Sequence, residues 1–146
     1  KIYQKTENQK INSTLSKKEI LEEEIFNEKE IEPANNLKHF HFRVFFNFDS
    51  HILVDEEKEK LQDVIKKAMV NNSLTVHIEG HTDTKGSELY NLVLSNKRAN
   101  FIKNYLTINS VVNDIVIEGY GEKKPLLITK DNVKEKKNRR AEILLK

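Results

Sequence analysis

Alternating hydrophobic and polar positions are the clearest pattern in this chain. After His39, a bulky side chain occupies every second position: Phe40, Phe42, Val44, Phe46 and Phe48. A period of two predicts a β-strand, here with a nearly all-aromatic inner face that belongs in a core. The same alternation predicts strands over residues 74–78 and 140–145, and an apolar run predicts a short strand over residues 115–117.

Between these strands, the apolar residues follow the spacing of amphipathic helices. Asp55 is placed to cap a first helix, whose apolar stripe consists of Leu61, Val64, Ile65, Ala68 and Met69. A longer helix is predicted from Ser87 to Leu106, with a buried side made of Tyr90, Leu94, Phe101, Ile102, Tyr105 and Leu106. Asp131 is placed to cap a short polar helix that ends near Lys137.

The order of these elements predicts the fold class. It is α/β, a two-layer sandwich of βαβαβ(α)β order with a mixed four-stranded sheet and helices on one face. Strands joined by a helix are usually parallel neighbours with a right-handed crossover. We expect this domain to occupy residues 38–146.

Residues 1–37 have a different composition and are expected to form a linker or a partly helical arm. The first 15 residues are polar and lack periodicity. Ser16 and Glu19 have the spacing of a capping box, which favours a helix over residues 17–32 that stops at Pro33. A partly ordered linker remains an equal alternative. Because the chain begins with Lys1, we expect a processed or truncated product whose membrane attachment, if any, lies outside this chain.

Composition excludes several classes of function. The chain has 25 basic and 23 acidic residues, so its net charge of +2 gives no electrostatic case for nucleic acid. Without cysteine it has no disulfide, thiolate metal site or cysteine nucleophile. No apolar run approaches the roughly 20 residues that span a bilayer. Nothing in the sequence points to a cofactor.

Histidines offer two weak candidates for a metal site. His77 and His81 flank Glu79, but a zinc-protease helix needs His-Glu-x-x-His, and this segment is a predicted strand that ends at Gly80. His39 and His41 share a strand face, which is more often simply polar. We therefore expect no metal here, and no enzyme, because nothing near Asp83 supplies a paired nucleophile and base.

A stronger candidate is the pair formed by Asp83 and Arg98. Asp83 follows a strand that ends at Gly80, and Arg98 lies on the next helix, about two turns after Asn91 and on the same face. A carboxylate can accept from an ammonium group, and a guanidinium fork matches a carboxylate. The pair could thus hold a small zwitterion, although spacing alone favours a structural salt bridge between the two residues.

Five motifs in order resemble the OmpA-like peptidoglycan-binding domain. They are Val44 to Ser50, then Ile78 to Asp83 with Gly86, then Tyr90-Asn91 with Leu94-Ser95 and Arg98-Ala99, then Gly119 to Glu122 with Pro125, and Asn138-Arg139-Arg140. The resemblance covers residues 43–145. The family includes peptidoglycan-associated lipoproteins, C-terminal domains of outer-membrane proteins and flagellar stator subunits.

The resemblance implies non-covalent binding of diaminopimelate in the stem peptides of peptidoglycan. Asp83 would pair with the ammonium and Arg98 with the carboxylate, while Asp49 would line the pocket, Asn91 would orient the site and Arg140 would lie at its floor. Strand neighbours face opposite ways, which leaves open whether Arg139 or Arg140 points inwards. Asn47 departs from the family pattern, in which an acid is common.

The function expected from this resemblance is a periplasmic anchor. It would attach an outer-membrane or envelope component to the cell wall, with residues 1–37 as a spacer or an arm that binds envelope proteins. An alternative is an assembly domain of a secretion or motility complex that has lost ligand binding.

Overall fold

The computed structural model describes residues 39–146. The predicted arm and its helix over residues 17–32 lie outside the described residues. The elements are β1 (Phe40–Phe45), α1 (Asp55–Val70), β2 (Val76–Gly80), α2 (Glu88–Ile108), β3 (Ile115–Gly119), a 3-10 turn (Lys136–Asn138) and β4 (Arg140–Leu145). Neither helix of this described part is long and apolar enough to cross a membrane.

The four strands form one mixed sheet in the order β1-β4-β2-β3, which confirms the predicted α/β fold class. β2 and β3 pair in parallel, as a helix-connected pair should, and β4 pairs antiparallel with both β1 and β2. β1 and β2 therefore run in the same direction but are separated by β4. In this register the ends of β1 and β2 and the start of β4 meet at one edge of the sheet.

One face of the sheet and the apolar stripes of both helices enclose the core. The strands contribute every second residue, and the fully buried members include Val44, Val76, Ile78, Ala141, Ile143 and Leu145. α1 contributes Leu61, Val64, Ile65 and Ala68, and α2 contributes Ala99, Ile102 and Leu106. Both helices cover the same sheet face, which confirms the predicted two-layer arrangement.

Close packing of α2 on the sheet depends on glycine. A Cβ atom added to Gly80 would lie 1.9 Å from the backbone oxygen of Ser95, and one added to Gly119 would lie 2.6 Å from the Ser95 hydroxyl oxygen. Only a residue without a side chain allows the helix to approach β2 and β3 this closely. The close approach places the first half of α2 beside the edge where β2 ends.

The structure corrects two predicted caps. Asp55 is the first residue of α1 rather than its cap, because Val54 holds the N-cap position and makes no side-chain cap bond. Asp131 caps no helix. The short 3-10 turn is instead capped by Glu135, whose carboxylate accepts from the backbone N–H of Lys137 at 3.1 Å.

Three side chains that were predicted to face the core, one near β1 and one on each helix, are exposed instead. β1 ends at Phe45, so Phe48 lies beyond the strand and is largely exposed. Met69, at the end of α1, and Tyr90, near the start of α2, are each about half exposed. The buried face of α2 is lined by polar side chains in its first three turns, which leaves Tyr90 outside it. Those polar residues are Asn91, Ser95 and Arg98, of which Asn91 and Arg98 line the cavity described next.

Candidate functional site

A cavity of about 380 Å³ lies at the sheet edge where β1 and β2 end and β4 begins. Its walls come from the turn after β1, the loop after β2, one side of α2 and the segment before β4. Five charged residues line it: Asp49, Asp83, Lys85, Arg98 and Arg139. With two carboxylates and three cations, the formal charge of the lining is +1.

Of the five site residues expected from the sequence, four line this cavity. Asp49, Asp83, Asn91 and Arg98 are brought together as expected. Arg140 is not among them. It points to the sheet face opposite the core, where its Nε donates to Glu142 at 2.7 Å and its Nη2 donates to the Lys124 carbonyl at 3.0 Å.

Arg139 takes the place expected for Arg140. Its Nε donates to the Phe46 carbonyl at 3.1 Å, and its Nη1 donates to Oδ2 of Asp83 at 3.2 Å. The physical reason is strand alternation: Ala141, Ile143 and Leu145 face the core, so the residue two places before Ala141 faces the same side. Applied to Arg139, the predicted alternation of β4 would have answered the question that the sequence left open.

Arg98 is 0% exposed, and three backbone carbonyls hold its guanidinium in place. Nε donates to the Ser50 carbonyl at 2.8 Å, Nη1 to that of His81 at 2.8 Å and Nη2 to that of Asn47 at 3.3 Å. The guanidinium carbon also lies 5.1 Å from the centre of the Phe46 ring. These contacts fix the fork between the turn after β1 and the loop after β2.

Burial lowers the pKa of Arg98 to about 10, while the nearby charges of Asp83 and Asp49 oppose that shift and Arg139 adds to it. Within residues 39–146, none of the ion pairs involves Arg98. The salt bridge between Asp83 and Arg98 that spacing alone favoured is therefore not formed. Arg98 stays charged at neutral pH with only carbonyl oxygens as direct partners.

Asp83 is 3% exposed and its carboxylate is already well supplied with donors. Oδ1 accepts from the backbone N–H of Lys85 at 3.1 Å, and Oδ2 accepts from the backbone N–H of Glu135 at 3.1 Å and from Arg139. An ionised carboxylate offers about four acceptor positions. One position on Oδ1 therefore remains for a ligand.

Asn91 and Tyr90 attach α2 to the surrounding loops. Nδ2 of Asn91 donates to the Asp83 carbonyl at 3.2 Å and to the Glu122 carboxylate at 2.9 Å, so Asn91 positions the loop that carries Asp83. The Tyr90 hydroxyl donates to the Asp49 carboxylate across the cavity, and this hydrogen bond raises the pKa of Tyr90. Asp49 itself has a positive φ of 57°, which a short polar residue tolerates in a turn.

His81 directly follows β2, and its side chain is completely enclosed. Its ring stacks on Tyr120 with centroids 5.5 Å apart, and neither ring nitrogen has a hydrogen-bond partner among the described residues. In the same part of the chain, no three or more His, Asp and Glu side chains converge where a metal ion could sit. His81 thus contributes its carbonyl to Arg98 rather than its imidazole to a ligand.

Comparison with known proteins shows which family the chain resembles. A model of the OmpA family matches residues 45–139. The peptidoglycan-associated lipoprotein of Buchnera aphidicola subsp. Baizongia pistaciae (strain Bp) is 32% identical over 102 residues, which cover 69% of this chain and 59% of that protein. Outer membrane protein A of Bordetella avium is 35% identical over 105 residues, which cover 71% of this chain and 54% of that protein. The chain thus spans just over half the length of these two relatives.

Solved structures show the same fold. The crystal structure of the peptidoglycan-associated lipoprotein from Burkholderia pseudomallei has a TM-score of 0.66 and 28% identity, covering 71% of this chain and 89% of that one. The C-terminal domain of Helicobacter pylori MotB has a TM-score of 0.64 at 19% identity, covering 72% of this chain and 84% of that one, a likeness of fold alone. Since the family model matches well over half of its residues, the chain belongs to the OmpA family.

Proposed function

We propose that this domain binds peptidoglycan non-covalently by recognising the diaminopimelate residue of the stem peptide. In this way it would anchor an outer-membrane or envelope component to the cell wall from the periplasm. Family membership supports the general role, and the names of two relatives describe peptidoglycan-associated lipoproteins. The finer assignment, to one residue of the peptide, rests on the chemistry of the cavity.

The observation that carries the proposal is a buried arginine without a carboxylate partner on the wall of a cavity. Taking a guanidinium out of water costs several kcal/mol unless an anion compensates it. The carbonyls of Asn47, Ser50 and His81 use three of its five N–H donors. Two donors on the terminal nitrogens remain, and a carboxylate can accept both in a fork-to-fork pair. A ligand carboxylate would therefore complete the site.

The acidic side of the cavity suits an ammonium group on the same ligand. The remaining acceptor position on Oδ1 of Asp83 and the exposed carboxylate of Asp49 lie on the walls of the same cavity as Arg98. The far end of diaminopimelate carries an ammonium and a carboxylate on one carbon atom. Such a zwitterion matches both the acidic side of the cavity and Arg98. Asn91 holds the loop that carries Asp83, and Arg139 holds the Asp83 carboxylate.

Binding by one small pocket is expected to be modest for each site. The cell wall presents many equal sites, so an envelope component with a tethered domain would remain attached through repeated rebinding. Contacts of residues 1–37 with envelope proteins remain a prediction. So does membrane attachment outside this chain.

Sedimentation with purified diaminopimelate-type peptidoglycan tests the proposal. Arg98→Lys keeps a cation but loses the fork, and Asp49→Asn removes an exposed charge where asparagine tolerates the positive φ. We expect both variants to sediment less than the parent. Lys97→Gln, an exposed change on the neighbouring helix position, should match the parent.

Circular dichroism melting establishes that each variant is folded before it is compared. Folded Arg98→Lys and Asp49→Asn proteins that sediment like the parent would rule out this cavity as the binding site. A parent protein that does not sediment at all would favour the alternative, an assembly domain without ligand binding.

A further inference from the structure

The long connection between β3 and β4 exposes apolar side chains at one place. We name residues 123–137 the basic loop. Ile128 is 88% exposed, and the adjacent Leu126 and Leu127 are 43% and 44% exposed. Single exposed apolar residues are common on protein surfaces, but a cluster of them bordered by polar groups typically marks an interaction surface.

The backbone of the basic loop is fixed at both ends of this apolar cluster. Asn138 is completely buried; its Oδ1 accepts from the N–H groups of Leu126 and Leu127 at 2.9 and 2.8 Å, and its Nδ2 donates to the Leu127 carbonyl at 2.7 Å. Further along, the Thr84 hydroxyl donates to the Lys130 carbonyl at 2.7 Å. The domain therefore uses a buried side chain to hold the loop while its apolar side chains stay in solvent.

The charge of the basic loop differs in sign from that of the rest of the chain. It holds six lysines and two carboxylates, a formal charge of +4, whereas the whole chain carries +2 and the remainder therefore carries −2. All six lysines are exposed. Within the described range, none of them takes part in an ion pair. No carboxylate of residues 39–146 within ion-pair distance therefore neutralises these cations, although the ammonium groups of Lys124 and Lys134 lie over the rings of Tyr120 and Phe48 at 3.7 and 4.0 Å.

We propose that the basic loop docks on a bilayer that contains anionic phospholipids. The apolar cluster of Leu126, Leu127 and Ile128 would enter the boundary between headgroups and acyl chains. Lysines of the same loop would lie near the phosphates. Apolar side chains and a basic rim together are what binding to an anionic membrane surface requires. An anionic polymer would attract the lysines but would leave Ile128 without a role. The inference goes beyond the proposed function, because it needs no peptidoglycan.

Co-sedimentation with lipid vesicles tests this inference on the full 146-residue chain. Vesicles of phosphatidylethanolamine with one quarter phosphatidylglycerol are compared with vesicles of phosphatidylcholine alone. We expect the parent to partition onto the anionic vesicles and to be released by salt. Ile128→Ser should weaken partitioning about tenfold, since it removes one large apolar side chain that the bilayer would otherwise bury. Ile108→Ser, at the 82% exposed end of α2, is the matched control and should have no effect.

A second pair of variants separates charge from hydrophobicity. Lys123→Gln with Lys130→Gln should weaken partitioning about fivefold for each lysine. The same double change at Lys66 and Lys97, which are exposed on the helices, should leave it at the parent value.

Equal partitioning onto neutral and anionic vesicles would overturn the inference, and so would parent-like partitioning of Ile128→Ser. If vesicles bind nothing and Ile128→Ser instead lowers sedimentation with peptidoglycan, the basic loop contacts the wall polymer and the inference is also wrong. The vesicle outcomes do not bear on the Arg98 cavity, because the vesicles contain no peptidoglycan. Sedimentation of Arg98→Lys with peptidoglycan tests that cavity separately.

Discussion

Acidification should destabilise this domain through His81. The side chain is 1% exposed, and both ring nitrogens lack hydrogen-bond partners within residues 39–146. Burial is the main cause that lowers the pKa of His81 from 6.5 to about 4. The charge of Arg140 adds to it, Glu142 opposes it, and Lys124 and Arg43 make smaller contributions in the same direction as Arg140. Glu79 is the nearest carboxylate, with an oxygen 3.8 Å from Nε2. An imidazolium at this place would bury two unsatisfied donors and a charge.

The difference in pKa sets the size of the effect. The unfolded chain binds a proton at His81 near pH 6.5, and the folded domain resists protonation until about pH 4. Between these values the unfolded state holds more protons, so the free energy of unfolding falls as the pH falls. The full loss is roughly 3 kcal/mol, of which about 2 kcal/mol should appear between pH 7 and pH 5. Total stabilities of about 5–15 kcal/mol make such a loss readily measurable.

Urea unfolding followed by circular dichroism at pH 7 and pH 5 measures this loss. His81→Phe keeps an aromatic ring against Tyr120 and removes the titrating group. From pH 7 to pH 5, its free energy of unfolding should therefore fall by about 2 kcal/mol less than that of the parent. His51→Gln, at an exposed position, controls for the loss of a histidine as such. If the parent and His81→Phe lose the same stability over this range, the assigned burial of a neutral imidazole is wrong.

Two further predictions concern packing and the two adjacent arginines. Gly80→Ala should destabilise the domain by roughly 3 kcal/mol or more in urea unfolding, because its Cβ would overlap the Ser95 carbonyl and force α2 away from β2. A stability within about 1 kcal/mol of the parent would contradict that contact. Arg139→Gln should weaken binding of a diaminopimelate peptide by about tenfold and also cost about 2 kcal/mol of stability, since it removes the cation that holds the buried Asp83 carboxylate. Arg140→Gln should cost a similar stability at unchanged affinity. Calorimetric titration and urea unfolding measure the two effects, and an affinity that falls only in Arg140→Gln would contradict the placement of the two arginines.

Much of the fold was predictable because its strands obey simple alternation. Ala141, Ile143 and Leu145 were expected on one face of a strand and are all completely buried. Contacts between elements were less predictable from local patterns. Glu57, for example, accepts from the backbone N–H of Phe45 in β1.

Four of the five expected site residues line the cavity, but their pairing was not predictable from the sequence. The motifs brought Asp83 and Arg98 to the same cavity, yet spacing along the chain favoured a salt bridge between them. The topology decides otherwise: β4 inserts between β1 and β2, so the segment before β4 brings Arg139 to Asp83. Arg98 is then left with carbonyl oxygens as partners, which is the feature on which its proposed binding role rests.

Calorimetric titration with two tripeptides tests the central claim most directly. L-Ala-γ-D-Glu-meso-diaminopimelate and L-Ala-γ-D-Glu-L-Lys differ only by the carboxylate on the far end of the third residue, so the unmodified protein can be used. If Arg98 binds that carboxylate, the lysine peptide should bind at least about tenfold more weakly, because charged hydrogen bonds of about 1.5–3 kcal/mol are lost. Equal affinities for the two peptides, or no binding of the diaminopimelate peptide, would contradict the claim.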